Sequence, residues 1–480
     1  MKRRLGVLFL LVAVVAAACA SKPTCSATAQ SSDNADCTQP ASDDNARPRA
    51  SFMAIPIEDP TGQAMSAFHQ ALRTAQQRRG KARILIYGAS HVAADIYPDL
   101  LRSRLQARFG EAGPGFAFPA KPLTWYRHSG VSLESSQGWA GNHVKVSEPP
   151  SDRFFGLAGM YLTSNASRRP ARSAFTTKAH AGLKGFASDF ELFYWKQPGG
   201  GRFKLSIDGV TRELSAAAGT AGPAYEPWHV ADGQHRVEVI TRGDGPVRVF
   251  GMSMERDTPG VVVDALGIPG ARAKTQLSWD EDLHREHLTR RHPDLVVIAY
   301  GTNESGDDGQ PIEEYAADLR RVVSRIKRVL PQASCLLIGP SDRPTKLDGG
   351  KYEDRPRTAQ IVATQREVSR EVGCGFFDLV SFMGGPLSML DWVDGEPPLG
   401  ASDHVHFTHR GYEALGNVLY DALLMGYEAP APVAFGPRPI APPGSTVSEI
   451  KRDNRERSRR SSHRERRSRV SGATSGPRSP

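Results

Sequence analysis

The stretch Arg83-Ile84-Leu85-Ile86-Tyr87-Gly88-Ala89-Ser90-His91 is a short apolar run that stops at a glycine and then passes through two small residues. Directly after it, Ile96, Leu100, Leu101, Leu105 and Phe109 recur at helical spacing within Val92–Phe109. An apolar strand followed by an amphipathic helix is half of a βαβ unit. The rhythm returns further along the chain. Val261–Ala265 precedes a helical stretch around Leu277–Leu288, and Asp294–Tyr300 precedes one over Pro311–Leu330. Cys335–Ile338 precedes a helix near Arg357–Val372, and Gly375–Val380 comes before a last helix over Arg410–Tyr427. Strands without polar alternation are buried on both faces, which predicts a parallel sheet covered by helices on either side. Five such units predict an α/β protein with a flavodoxin-like three-layer α/β/α domain.

One stretch departs from this rhythm. Between about Pro114 and Thr258 the helical period vanishes and strand-like pieces replace it: Phe155–Thr163, Phe190–Trp195, Phe203–Asp208, His235–Thr241 and Val247–Met254. Turn signals such as Pro198-Gly199-Gly200-Gly201, Asp208-Gly209 and Gly243-Asp244-Gly245 separate them. Short strands at this spacing read as an antiparallel β-sandwich inserted between the first and second strands of the α/β domain. Trp125, Trp139, Trp195 and Trp228 lie in this insert, either as sugar-stacking rings or as sandwich core.

The ends of the chain carry most of the charge. The 480 residues sum to +9, but residues 451–480 hold eleven Lys/Arg against three acids and Lys2-Arg3-Arg4 add three more cations, so residues 5–450 sum to −2. A nearly neutral body gives no ground for a nucleic-acid partner. The basic start, the uncharged run Leu5–Ala18 and the small residues before Cys19 form an export signal. It resembles a bacterial lipoprotein signal, which implies a lipid anchor on Cys19 and an exported, membrane-anchored protein of the cell envelope. Ala20 after that cysteine suits an outer-membrane destination. An ordinary secretory signal cut after Ala18 or Ala20 is the alternative.

The expected order is a signal peptide over 1–18, a flexible tether over 19–55, the α/β domain over 56–113 and 259–428 with the sandwich at 114–258, and a disordered Pro-rich then Arg/Ser-rich tail over 429–480. The tail reads as an arm for anionic envelope polymers or as an unselected end. In an exported chain Cys25 with Cys37 makes a plausible local loop. Cys335 and Cys374, each at a strand start, are either neighbours in the sheet or separate buried thiols.

Ligands of open parallel sheets sit at the carboxyl ends of the strands, near the point where strand order reverses. Gly88-Ala89-Ser90-His91 follows the first strand, Gly267-Ile268-Pro269-Gly270 the second and Gly301-Thr302-Asn303 the third, while Asp403-His404-Val405-His406 precedes the last helix. These are the parts of an acyl-transfer site. A serine hydroxyl needs an adjacent base, so Ser90 is the expected nucleophile, His406 its base and Asp403 the group that orients the imidazole. The Ser90 and Gly270 N–H groups and the Asn303 amide are the expected oxyanion donors. A plain N-cap serine, turn glycines and a turn asparagine are the bland readings of the same residues. His404, His406 and His409 also offer metal-ligand chemistry, but no ligand cluster accompanies them and no metal is expected.

The four blocks in this order resemble the SGNH (GDSL-type) hydrolases: Ser90 in block I, Gly270 in block II, Asn303 in block III and Asp403 with His406 in block V. That resemblance implies serine esterase chemistry without metal or cofactor. Gly88-Ala89-Ser90-His91 with Asp95, and a sandwich inserted after the first helix, is similar to bacterial peptidoglycan O-acetylesterases, whose insert resembles a family 35 carbohydrate-binding module. The expected substrate is therefore an acetylated polysaccharide or peptidoglycan. One departure stands out: Ala89 occupies the place of the family's aspartate in Gly-Asp-Ser. The rival readings are a GDSL lipase or thioesterase on longer acyl chains, and a glycan-binding lipoprotein with a decayed hydrolase site.

Overall fold

The computed structural model describes residues 55–144, 152–164 and 170–427. The signal segment, Cys19, Cys25, Cys37, most of the tether and the 429–480 tail lie outside the described residues. The five apolar runs form one parallel sheet: β1 (Lys81–Gly88), β2 (Gly260–Gly267), β3 (Leu295–Ala299), β4 (Ser334–Ile338) and β5 (Gly375–Phe377). Their spatial order is β2-β1-β3-β4-β5, with Ile84 level with Val263 on one side and Leu295 on the other. This is the flavodoxin-like order, and its reversal falls between β1 and β3.

Alternate residues of each strand feed opposite cores. Ile84 and Ile86 pack with Phe68 and Leu72 of α1 (Ser66–Gln76), which the sequence reading did not anticipate. The same core holds Leu101 and Leu105, which follow the short α2 (Ser90–Ala93) on α3 (Tyr97–Phe109). Leu85 and Tyr87 face the other way, toward Leu283 and Leu288 of α4 (Glu281–Arg291) and Leu319 and Val323 of α5 (Ile312–Val329). That second layer is completed by Ile361 on α6 (Pro356–Val372), while α7 (His409–Leu424) returns to the first through Leu415 and Leu419. Burial on both faces is why these strands show no alternation in sequence.

Two predicted helices begin differently from expectation. The stretch Val92–Phe109 is split into α2 and α3 around Asp95, whose φ of +52° breaks the helical path. Around Leu277–Leu288 a 3-10 turn at Ala273–Ser278 gives way to α4, whose first turn is capped by the Asp280 carboxylate accepting from the Leu283 N–H. Cys335 and Cys374, at adjoining positions of β4 and the loop entering β5, are disulfide-bonded with Cα atoms 4.7 Å apart.

Among the described residues, the antiparallel strands of the insert fall into two sheets. One has the order Gly222–Gly233, Ala187–Lys196, Val247–Glu255, Met160–Ser164, Ala140–His143, with Gly115–Ala117 also paired to Val247–Glu255. The other runs Val131–Gln137, Arg172–Thr177, Arg236–Thr241, Arg202–Ile207, Val210–Ser215. Phe175, Phe203 and Val237 of the second sheet bury against Phe190, Leu192 and Tyr194 of the first. The opposite face of that first sheet is buried too: Phe193, Trp195 and Phe250 join Tyr87, Trp279 and Leu283 of the α/β layers in one core. A buried ion network crosses the same boundary, with Arg291 holding both Asp264 at 2.8 Å and Glu255 at 2.9 Å. Burial opposes the Glu255 charge, yet Arg291, Arg83 and Lys81 outweigh it and keep the carboxyl well below its usual range. The predicted strand Phe155–Thr163 begins only at Met160, because Gly156 and Gly159 take φ of +75° and +68° and Gly159 passes against Trp279.

Candidate active site

The site is built on β1. Strand β1 ends at Gly88, where a side chain would strike Val92 and the Ala299 carbonyl, and α2 starts two residues later with Ser90. Helix α2 in turn lies directly on Gly267 at the end of β2. Far along the chain, residues 400–407 fold back on themselves: Gly400 and Phe407 bridge, and the Ala401 N–H donates to the His406 carbonyl at 2.8 Å. This tight loop turns Asp403 and His406 toward β1.

Three side chains meet there. His406 Nδ1 lies 2.6 Å from Asp403 Oδ2, and His406 Nε2 lies 2.8 Å from Ser90 Oγ. A carboxylate only accepts, so Nδ1 carries the proton and the Nε2 lone pair is left to accept the serine hydroxyl. Burial raises the Asp403 pKa, but the His406 ring and the backbone N–H groups of His406 and Val405 outweigh it and lower the carboxyl to about 2. Asp403 is therefore an anion throughout the neutral range. The expected oxyanion residues border the same rim. Gly270 takes φ of +71° in a turn closed by the Ala271 N–H donating to Ile268, and the Asn303 amide donates to the Ala271 carbonyl at 2.9 Å. One Asn303 N–H thus anchors the asparagine to the Gly270 turn.

Comparison with known proteins bears on this geometry. Residues 220–414 match the GDSL-like lipase/acylhydrolase family, a span that contains Gly270, Asn303, Asp403 and His406 and begins after Ser90. Among solved structures, a peptidoglycan O-acetylesterase described as in action shares 26% identity at a TM-score of 0.63, covering 78% of this chain and 99% of that one. The chain has the fold of an SGNH hydrolase. Weaker likenesses include a lipase/acylhydrolase from Enterococcus faecalis (23% identity, 34% and 75% covered, TM-score 0.26). An acetyl xylan esterase is similar at 17% identity (34% and 80% covered, TM-score 0.26). No curated protein matches significantly.

Several residues that support the hydrolase's site carry no motif of their own. Glu304 is buried, and its carboxylate accepts from the Gly301 N–H at 3.0 Å and the Ala273 N–H at 2.8 Å. It ties the Asn303 loop to the segment that follows Gly270, and burial raises its pKa. His91, next to Ser90, has its ring 5.6 Å from that of His406. Its nitrogens reach Tyr412 OH at 3.0 Å and Ser341 Oγ at 3.3 Å, and Ser341 continues to Thr302. Burial first, and then the neighbouring His406, lower the His91 pKa to about 3, so it packs as a neutral ring. The only sequence signal for these two is adjacency to a motif.

Asp95 is buried at the break between α2 and α3. It is 3% exposed, pairs with the buried Arg102, and accepts the Ser129 N–H of the insert at 2.7 Å. Ala89 is buried where the family carries aspartate, and the loop's bonds run through backbone: the Ile268 N–H donates to the Gly88 carbonyl and the Ala93 N–H to the Ala89 carbonyl. His404 stacks on Tyr352 with centroids 4.3 Å apart, and His409 pairs with Glu413. Among the described residues no group of three or more His, Cys, Asp or Glu is placed to hold a metal ion.

Proposed function

We propose that this hydrolase removes O-acetyl groups from a cell-wall or exported polysaccharide through an acyl-enzyme. The observation that carries the reading is the unbroken chain Asp403–His406–Ser90, with contacts of 2.6 and 2.8 Å. Ser90 Oγ attacks the acetyl carbonyl while His406 Nε2 takes its proton, and the oxyanion is met by the Ser90 and Gly270 N–H groups and the Asn303 amide. On collapse the sugar oxygen leaves with the proton from His406. Water then attacks acetyl-Ser90, again through His406, and acetate departs. Support for acetyl as the group and a glycan as its carrier comes from the likeness to the peptidoglycan O-acetylesterase over nearly all of that chain.

The test is acetate release from O-acetylated peptidoglycan, acetylated xylan and 4-nitrophenyl acetate. Ser90→Ala abolishes it on every substrate, along with fluorophosphonate labelling; retained turnover ends the proposal. A series of acyl lengths that favours long chains makes the protein a lipase instead. We further place the protein in the cell envelope, anchored through Cys19, with the basic tail against anionic envelope polymers. Labelling with palmitate that survives Cys19→Ser refutes the anchor.

A further inference from the structure

We propose that residues 121–128 of the insert form a glycan subsite beside the nucleophile, in which Trp125 stacks on a sugar ring while Lys121, Arg127 and Lys178 pair with carboxylates of an acidic chain. The proposal rests on the polysaccharide esterase reading above and narrows its substrate to a glycan bearing carboxylates.

The first observation is the ring itself. Trp125 is 74% exposed, whereas Trp195 and Trp228 of the same insert are 5% and 6% exposed and serve as core. An indole left in water forgoes the largest burial any side chain offers, so its presentation needs a cause. The loop is not loose around it. Leu123 packs into the shared core, and the Tyr126 hydroxyl accepts the Phe118 N–H at 3.0 Å while its ring stands edge-on to Phe118. At the end of the segment the Ser129 N–H is held by Asp95. Two inward anchors thus fix Trp125 pointing out.

Its location is the second observation. Trp125 shares a narrow hollow with Val92 and Ala93 of the helix that Ser90 begins, and with Pro269, the residue before Gly270. It therefore borders both the helix that Ser90 begins and the turn that leads to Gly270. An open cleft of about 550 Å³ continues from Trp125 and Pro269 past Lys121 and His143. On the other side of the segment a groove of about 560 Å³ separates the insert from α3 and α7. It opens beside Ala94 and Asp95, just past α2, and beside His409, three residues beyond His406. Lys121 borders both spaces.

Charge is the third. Lys121, Arg127 and Lys178 line the second groove and have no carboxylate partner among the described residues. The acids along it are already engaged: Asp95 and Asp99 with Arg102, Asp99 also with His180, and Glu413 with His409. His128, 7% exposed, also borders this groove, with its Nε2 buried and unpartnered. Lys121 and Arg127 border the Trp125 hollows as well as this groove, so an aromatic platform with unpaired cations beside it and Lys178 further along fits a sugar chain carrying carboxylates.

The experiment compares O-acetylated peptidoglycan fragments with the same fragments after their carboxylates are amidated, using 4-nitrophenyl acetate as the small reference ester. For the full chain, amidation lowers kcat/KM, and raising salt from 50 to 500 mM weakens hydrolysis of the acidic fragments only. Trp125→Ala lowers the ratio of fragment to small-ester kcat/KM by about 10-fold, chiefly through KM. The triple variant Lys121→Gln/Arg127→Gln/Lys178→Gln loses both the salt dependence and the preference for acidic fragments. Equal rates on acidic and amidated fragments, or an unmoved ratio in Trp125→Ala, overturn the subsite. If Ser90→Ala is inactive in the same assays, the esterase reading stands without it. Failure of the full chain to act on either fragment overturns the glycan assignment together with the subsite.

Discussion

Replacing Gly267 with alanine is the sharpest probe of how the nucleophile is held. No unusual φ requires glycine here, so the cost of the methyl is steric alone. A Cβ on residue 267 would lie 2.2 Å from the Ala93 nitrogen, 2.6 Å from Ala93 Cα and 2.7 Å from the Val92 carbonyl carbon, all backbone of α2. Backbone cannot swing aside as a side chain does, so α2 must lift by about 1 Å to restore ordinary contact. Ser90 begins that helix and sits 2.8 Å from His406 Nε2, so the shift stretches the proton-transfer contact beyond hydrogen-bonding reach. A displacement of this size costs on the order of 100-fold in rate, or ~2.7 kcal/mol of transition-state stabilisation. Overpacking adds a stability loss of about 1–3 kcal/mol. Turnover of 4-nitrophenyl acetate and urea unfolding read the two effects separately. Gly267→Ala with kcat within about two-fold of the parent and an unchanged urea midpoint would show that the close approach does not position Ser90.

Asp403→Asn removes the anion that orients His406 and should lower kcat by about 1,000- to 10,000-fold with a much smaller change in KM, measured on the same small ester. Acid should destabilise the fold well before carboxylates protonate: burial lowers His91 and His287 to about 3 and His128 to about 4, so below ~6.5 the unfolded chain takes up protons that the folded chain refuses. Each such group lowers stability by up to about 1.4 kcal/mol per pH unit as pH falls from that value toward its folded pKa; burial also holds His284 well below its ordinary value, so His287→Leu should remove at most about a quarter of the drop between pH 7 and pH 5 in urea titrations. An equal drop in that variant refutes the assignment. Cys335→Ser/Cys374→Ser opens a bridge with a sequence separation of 39 and should cost about 4 kcal/mol, making the urea midpoint indifferent to reductant.

The parallel sheet was legible because its strands are buried on both faces, so each appears in sequence as an uninterrupted apolar run such as Leu295–Ala299. The meeting of the candidate site residues was legible for a related reason: each follows such a run or precedes the last helix, where topology brings strand ends together. What escaped the sequence depends on three-dimensional neighbours. Strands such as Val131–Gln137 and Val210–Ser215 are mostly exposed and polar, and nothing in their residues separates them from loops. Asp95 reads as an ordinary surface acid until Arg102 and Ser129 converge on it from opposite sides. Glu304 follows a motif asparagine, yet its work of bridging two loops needs Ala273, which is 31 residues away in the chain. The four tryptophans of the insert are equivalent in sequence, and only burial distinguishes Trp125.

The strand Ala187–Lys196 has one row of side chains in the sandwich and the other in the hydrolase, and this changes what the insert is. It is no detachable accessory clipped onto a finished enzyme. Cutting it out would strip the cover from Tyr87 and Trp279 and leave Arg291 without Glu255, so a trimmed hydrolase made for crystallography or engineering should come out as aggregate. Exchanging the sandwich for another domain would require redrawing the outer surface of α4 at the same time. The sandwich and the α/β layers in this protein must therefore diverge in step.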